Sequence, residues 1–226
     1  MQNLSDNLFP LYLSLKVAGL ATLLSFVVGL AMAYLLARRE FFGKNLIEAI
    51  VTLPLILPPT VLGYYLLVLI GRQGFIGSFF KNYLHINLVF TWQAAVIAAS
   101  VASIPLFIRS AQVSLESIDR NLINVARTLG KNEWQIFWRV SVPLAWRGIL
   151  SGLVLAFARA LGDFGATLMV AGNIPGKTQT MPLALYDAVV TGNKGLAGML
   201  VLIITIIALL VLLTMTKLTK NRLTGF

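Results

Sequence analysis

Residues 121–148 read NLINVARTLGKNEWQIFWRVSVPLAWRG, a run of mixed charge, amide and aromatic side chains in a chain that otherwise reads as lipid-soluble helix. Leu122, Val125, Ala126 and Leu129 fall at i, i+3, i+4 and i+7, which predicts one apolar stripe on a short helix. Asn121, Asn124, Arg127 and Thr128 lie off that stripe. Asp119, or Ser117 before it, is the expected N-cap. Gly130 stands where a helix ends on a residue with positive φ. Asn132 and Gln135 then have the spacing of a capping box, opening a second helix that carries Trp134, Phe137 and Trp138. Pro143 is expected to end that helix. Two short helices hinged at a glycine cannot form a core of their own, so their apolar side chains must be buried elsewhere. The pattern admits either the headgroups of a bilayer or a groove on another protein.

The rest of the chain sets the context. Of 226 residues, 58% are hydrophobic and only 12% charged, the balance of an integral membrane protein. Five apolar runs reach the roughly 20 residues a helix needs to cross hydrocarbon: Leu8–Ala37, Ala49–Gly71, Ile86–Ile108, Gly148–Asn173 and Leu196–Thr216. Backbone groups find no water in lipid, so these runs must be helical. The first lacks a basic segment before it and a small-residue cleavage pattern after it, so it is expected to stay as a helix. Met181–Val190 is apolar but short, and reads as a re-entrant or interfacial helix near the outer surface, a sixth crossing being the alternative.

Charge sets the expected orientation. Arg38, Arg39 and Lys44, then Arg109, Arg120, Arg127, Lys131, Arg139 and Arg147, then Lys217, Lys220 and Arg222 collect on one side, against Arg72, Lys81, Lys177 and Lys194 on the other. Lys and Arg concentrate in cytoplasmic loops. The segment 112–147 and the C-terminus are therefore expected in the cytoplasm, with the N-terminus outside. The net charge of +10 is thus topological and calls for no nucleic acid. The sequence has no Cys and one His, His85, which reads as a solvated residue of an outward loop. A metal centre, thiol chemistry and a general acid–base constellation are all excluded as expectations. No catalytic, metal-binding or cofactor-binding residue is assigned. GNIPGKTQT (172–180) misses the spacing of a phosphate-binding loop, so ATP hydrolysis is expected on another subunit.

Within the spans, Arg159 and Asp163 stand four residues apart on what would be one helical face. Either the arginine biases a path toward anions or the pair fixes helix packing. Pro54, Pro58 and Pro59 force a kink or late start in the second span. That makes Pro58, Pro59 and Thr60 candidates to line a translocation path, a plain packing kink being the alternative. Gly162, Gly165, Ala158, Ala160 and Ala166 permit close helix approach, at a dimer seam or inside one subunit. Gly71, Gly74 and Gly77 mark an outward turn, with an anion-binding nest as the rival.

The segment NVARTLG…WQIFWRVSVPLAWRGILSG resembles the EAA-type cytoplasmic loop of ABC importer permeases, a Glu-Ala-Ala triplet, three residues, Gly, then an apolar residue and Pro. Asn124, Val125 and Ala126 take the triplet, followed by Gly130 and Val142–Pro143. Asn124 and Val125 depart from the pattern, which removes any contact specific to the acid. LPLILPPTVLGYYLLVLIGRQGFIG (53–77) and LAFARALGDFGATLMVAGNIPGKTQTMPLALY (155–186) are similar to molybdate permeases in particular, with tungstate permeases near and sulfate permeases more distant. The resemblance implies an all-α integral membrane protein with five to six transmembrane helices, a cytoplasmic coupling-helix loop and the type I ABC importer permease fold. It implies a homodimer that carries molybdate, and tungstate, across the lipid bilayer. It further implies two copies of a cytoplasmic ABC ATPase and an extracytoplasmic oxyanion-binding protein as partners. Leu122, Asn124, Val125, Ala126, Arg127, Leu129, Gly130, Trp134 and Pro143 would then form the ATPase-coupling loop. A stand-alone secondary transporter is the other reading, weakened because the sequence shows one broken helix, at Pro54–Pro59, and no matching second.

Overall fold

The computed structural model describes residues 4–84 and 87–220. His85, Ile86 at the start of the third apolar run, and Arg222 of the basic tail lie outside the described residues, within which there is no strand. In chain order the helices are α1 (Leu4–Arg38), α2 (Lys44–Ile56), α3 (Pro59–Ile70), α4 (Phe75–Leu84), α5 (Trp92–Glu116), α6 (Arg120–Thr128), α7 (Glu133–Ile136), α8 (Val142–Leu161), α9 (Gly165–Ala171), α10 (Met181–Val190) and α11 (Lys194–Lys220). A π-helical turn, Phe137–Ser141, joins α7 to α8.

α5 is the central post, with α1 and α8 packed along it. Its buried face is built of small residues: Ala94, Ala95, Ala98, Ala99, Ala102 and Ala111 are fully buried. Ala18, Ala21 and Ala33 of α1 are buried to the same degree. Lipid tails are as apolar as leucine, so helices in a bilayer associate by close van der Waals fit, which small side chains allow. A Cβ at Gly29 of α1 would lie 2.6 Å from the Phe107 ring. One at Gly148 of α8 would overlap the Ser114 side chain. Buried hydroxyls bind where they touch: Ser25 and Ser103 Oγ atoms are 3.2 Å apart across α1 and α5. Ser110 Oγ donates to the Gly148 carbonyl at 2.9 Å.

α1, α5, α11 and the run Glu133–Leu161 are each long and apolar enough to cross a membrane. The second expected span differs from a kinked helix: α2 and α3 meet at a bend of 114°. Pro58 and Pro59 supply no backbone donors there, and Pro59 starts α3 with its missing N–H at a position that needs none. The third expected span corresponds to α5, which begins at Trp92, capped by Thr91, and runs on to Glu116, so residues 112–116 continue that helix. The fourth expected span, Gly148–Asn173, is not one helix. It breaks at Gly162–Phe164, between α8 and α9. Pro143 does not end its helix either. It sits in the first turn of α8, and the π-turn before it widens the ladder where the proline ring and missing donor would otherwise conflict with the preceding turn.

At the far end from the basic loops, the expected outward loop after Gly71 contains the helix α4. Gly71 N–H donates to Leu67 O and Gly74 N–H to Gly71 O, so these amides close the turn and are not free to form an anion nest. α10 is 10 residues long, about 15 Å, too short to cross. It packs against α1 and α11, with Met181, Leu183, Ala184 and Ala188 buried. Its first amide, Met181 N–H, donates to Ser14 Oγ at 2.7 Å.

Candidate functional site

Two places bring the singled-out residues together. The first is the basic end, where α6 and α7 project from the bundle. Asp119 caps α6 by accepting from Asn121 N–H at 2.8 Å. The helix closes with Gly130 N–H donating to Arg127 O and Lys131 N–H to Ala126 O, the paired closure that places a residue with positive φ after the last turn. Gly130 has φ 75°. The capping box of α7 is complete: Gln135 N–H donates to Asn132 Oδ1 at 2.8 Å, and Asn132 N–H donates to Gln135 Oε1 at 3.3 Å.

The apolar stripe of α6 does not lie as one face on the bundle. Ile123 and Ala126 are 5% and 8% exposed and pack inward. Leu122, Val125 and Leu129 are 50%, 55% and 72% exposed, and Trp134 is 69% exposed. The helix is therefore anchored by its minor face and presents its larger side chains outward. Asn124 flanks this face, its Oδ1 accepting from Arg127 Nη1 at 3.3 Å. Arg127 Nε donates to Glu133 Oε1 at 2.8 Å, locking α6 to α7 across the glycine. That carboxylate raises the Arg127 guanidinium above its ordinary value, first through the hydrogen bond and then through its charge. Below, Ile136 is fully buried and Phe137 meets Tyr34 of α1 edge-on at 4.7 Å. The unit is thus seated on α1 and α5 as one piece.

A polar network beside it was not read from the sequence. Arg109 of α5 donates to Glu48 at 3.3 Å and to Thr52 at 3.2 Å, both on α2. Gln112 donates to Glu48 at 3.1 Å and to Glu116 at 2.9 Å. α2 has no fully buried residue, only Ile47 and Val51 partly buried against the core, so these bonds add to a light apolar contact in fixing it to the central post. Glu48 and Arg109 are separated by 61 residues, and no local pattern pairs them.

The second place is the meeting of two helix breaks. α3 packs on α9, and a Cβ at Gly165 would lie 2.9 Å from Pro59 Cβ and 3.3 Å from Thr60 N. At Gly63 a Cβ would lie 2.7 Å from Met169 Cβ. Gly165, Ala160 and Ala166 are therefore used inside the subunit, whereas Ala158 and Gly162 are exposed. Asp163 lies in the break, not on a helical face with Arg159. Its Oδ1 accepts from Arg159 Nη1 at 3.2 Å. Its Oδ2 accepts from Thr167 N–H at 2.9 Å and from Thr167 Oγ1 at 2.7 Å. The carboxylate is 1% exposed and fully engaged, stitching the end of α8 to the start of α9. The arginine keeps 28% exposure. Pro58, Pro59 and Thr60 are exposed. Nearby on the chain, Asn173 Oδ1 and Thr180 Oγ1 are buried without a hydrogen-bond partner. Lone amides and hydroxyls carry no sequence signal that could have singled them out.

Residues 25–222 match the binding-protein-dependent transport system inner membrane component family. The chain belongs to this family. It is similar to the molybdenum transport system permease protein ModB of Escherichia coli strain K12, 47% identical over 191 residues, which covers 84% of this chain and 83% of that protein. It is also similar to the sulfate transport system permease protein CysW of Synechococcus elongatus, 39% identical over 176 residues, 78% of this chain and 61% of that one. Among solved structures, the MetNI methionine ABC transporter, in inward-facing conformations, superposes with a TM-score of 0.70 at 18% identity, covering 94% of each chain.

The chain has the all-helical permease fold of type I ABC importers. The second break, between α8 and α9, removes the sequence argument against a secondary transporter, and family membership decides the matter in its place: the relatives are transport permeases of the inner membrane. Among the described residues no cluster of His, Cys, Asp and Glu could hold a metal ion.

Proposed function

We propose that this permease is the membrane-spanning subunit of an ATP-driven importer of molybdate that also accepts tungstate. The observation that carries the substrate is the 47% identity to the molybdenum permease over 84% of the chain. Sulfate is the second reading, favoured by the CysW likeness but with lower identity and a partner of greater length. Two copies of the permease enclose the path, and the ATP-hydrolysing subunits are separate chains. The basic end faces the cytoplasm, because Arg38, Arg39, Lys44, Arg120, Arg127, Lys131 and Arg139 gather there.

Leu122, Val125, Leu129 and Trp134 form the ridge that docks into a groove on each ATPase. Fully burying an exposed side chain of that size stabilises by about 1.5–3 kcal/mol; these four, 50–72% exposed, each contribute part of that and anchor the contact against the cost of association. Ala126 and Pro143 seat the ridge, while Asn124, Arg127 and Gly130 shape it. Closure of the ATPase pair then moves α6 and α7 as a body, and Arg109–Glu48 carries the motion to α2 and its bend. At the crossing of the breaks, Pro58, Pro59 and Thr60 line the path with the positive N-terminal end of α3. Arg159 adds a positive charge there, while Asp163 holds the two helix segments in register. A binding protein delivers the oxyanion at the opposite end.

Uptake of labelled molybdate by cells carrying the complete transporter tests this reading. Unlabelled tungstate should compete at similar concentrations and sulfate only in large excess. Competition by sulfate at equal concentration would transfer the assignment to sulfate.

A further inference from the structure

Tyr34 stands between two cavities on the α1 side of the coupling unit, whose Asn124, Arg127 and Trp134 line them in part. On one side of it a mostly apolar groove of about 600 Å³ runs along α1, from Phe26 through Leu30 and Ala31, walled by Trp134 and Trp138 and lined also by the ion-paired Glu133 and by Arg39. On the other side a polar pocket of about 330 Å³ is lined by Arg38, Arg120 and Arg127. Arg38 Nε and Nη2 are buried with no hydrogen-bond partner. A guanidinium is never deprotonated at ordinary pH, so two buried donors left unmade cost stability until an acceptor arrives. The acid at the pocket rim, Glu40, is held by Lys44 at 2.9 Å. Arg127 has its own carboxylate in Glu133. Glu116, the other acid acting on Arg38, accepts from Gln112 and makes no bond to Arg38 Nε or Nη2, so the pocket is positive with two unmet donors.

We infer that the pair of cavities is a site for one anionic phospholipid, with an acyl chain in the groove and its phosphate on Arg38 and Arg120. The dimensions agree. Phe26 to Arg39 spans about 20 Å of helix, and one leaflet of hydrocarbon is about 15 Å deep with the headgroup above it. Trp138 stands near the start of the apolar run Glu133–Leu161, the position along a span at which aromatic side chains meet a membrane interface. A free oxyanion would satisfy the arginines and leave the groove empty, and an acidic segment of a docking protein would do the same. Only a molecule with an apolar tail and a phosphate head fills both.

The test uses the purified full-length chain in mixed micelles with phosphatidylglycerol or phosphatidylcholine, read by native mass spectrometry. One phosphatidylglycerol should be retained per chain, with a preference over phosphatidylcholine of at least about fivefold for each basic residue engaged. Arg120→Gln, on an exposed helix where folding is not at risk, should lower that preference, as should Arg38→Gln. Ala31→Trp should fill the groove and displace the lipid. Millimolar inorganic phosphate should leave retention unchanged. Equal retention of the two lipids, or indifference to both arginine variants, would overturn the headgroup site. Retention by the Ala31→Trp variant would overturn the groove, and displacement by inorganic phosphate would replace the lipid with a free oxyanion.

Discussion

Gly130 adopts φ 75° with no atom within 4 Å of where a Cβ would stand, so any penalty for replacing it is conformational and not steric. A left-handed conformation costs a residue with a Cβ about 1–2 kcal/mol, and a β-branched one more. Gly130→Val should therefore open the α6 closure, leave the bundle inserted, and reduce co-purification of the ATPase at least about tenfold, given that 1.4 kcal/mol is a factor of ten. Gly130→Asn, which tolerates this conformation, should retain most of it. Full co-purification with Gly130→Val would show that the turn does not set the docking face. Asp163 gives a second residue-scale expectation. Asp163→Asn strands Arg159 beside a buried amide and should destabilise the purified protein by about 3 kcal/mol, while adding Arg159→Gln should recover part of the loss. Thermal unfolding of the single and double variants measures this, and additive losses would mean that the two side chains are not coupled.

Among the elements, what the sequence revealed depended on whether the signal was local. The α6–Gly130–α7 unit was legible because caps, glycine and stripe lie within a few residues of one another. Its stripe reads as turned away from the chain's own core, and Leu122, Val125 and Leu129 are exposed; Ala126 instead turns inward with Ile123, which the periodicity left out and which packing on the bundle decides. The α2–α3 break was announced by Pro58 and Pro59. The α8–α9 break has no proline; Asp163 makes it by binding Thr167, a bond that helical spacing alone conceals. Pro143 was read as a stop because the sequence gives no hint that a π-turn absorbs it. The bend itself is testable: with Pro58→Ala and Pro59→Ala together, α2 and α3 should straighten. Spin labels at Ile50 and Tyr64, both exposed, should move apart, and uptake should fall while ATPase binding persists. Unchanged label distances would assign the bend to packing against α9 and not to the prolines.

In the whole molecule, the proposed docking face and the crossing of the broken helices are joined through α5 and α2. α2 is tied to α5 by the Arg109–Glu48–Gln112 bonds beside the partly buried Ile47 and Val51, so Glu48→Gln should weaken that link. The assembled transporter would then hydrolyse ATP at near its normal rate and import several-fold less substrate; equal losses in both would place Glu48 in docking instead. All of this requires the basic end to lie in the cytoplasm. The sequence contains no cysteine, so a single Cys in place of Lys131, which is exposed beside Gly130, reports its location without background. With a membrane-impermeant maleimide on intact cells, Lys131→Cys should stay unlabelled, react once the membrane is permeabilised, and be shielded when the ATPase is bound. Lys177→Cys at the opposite end should label from outside. Labelling of Lys131→Cys in intact cells would contradict the orientation and, with it, the coupling of this face to a cytoplasmic motor.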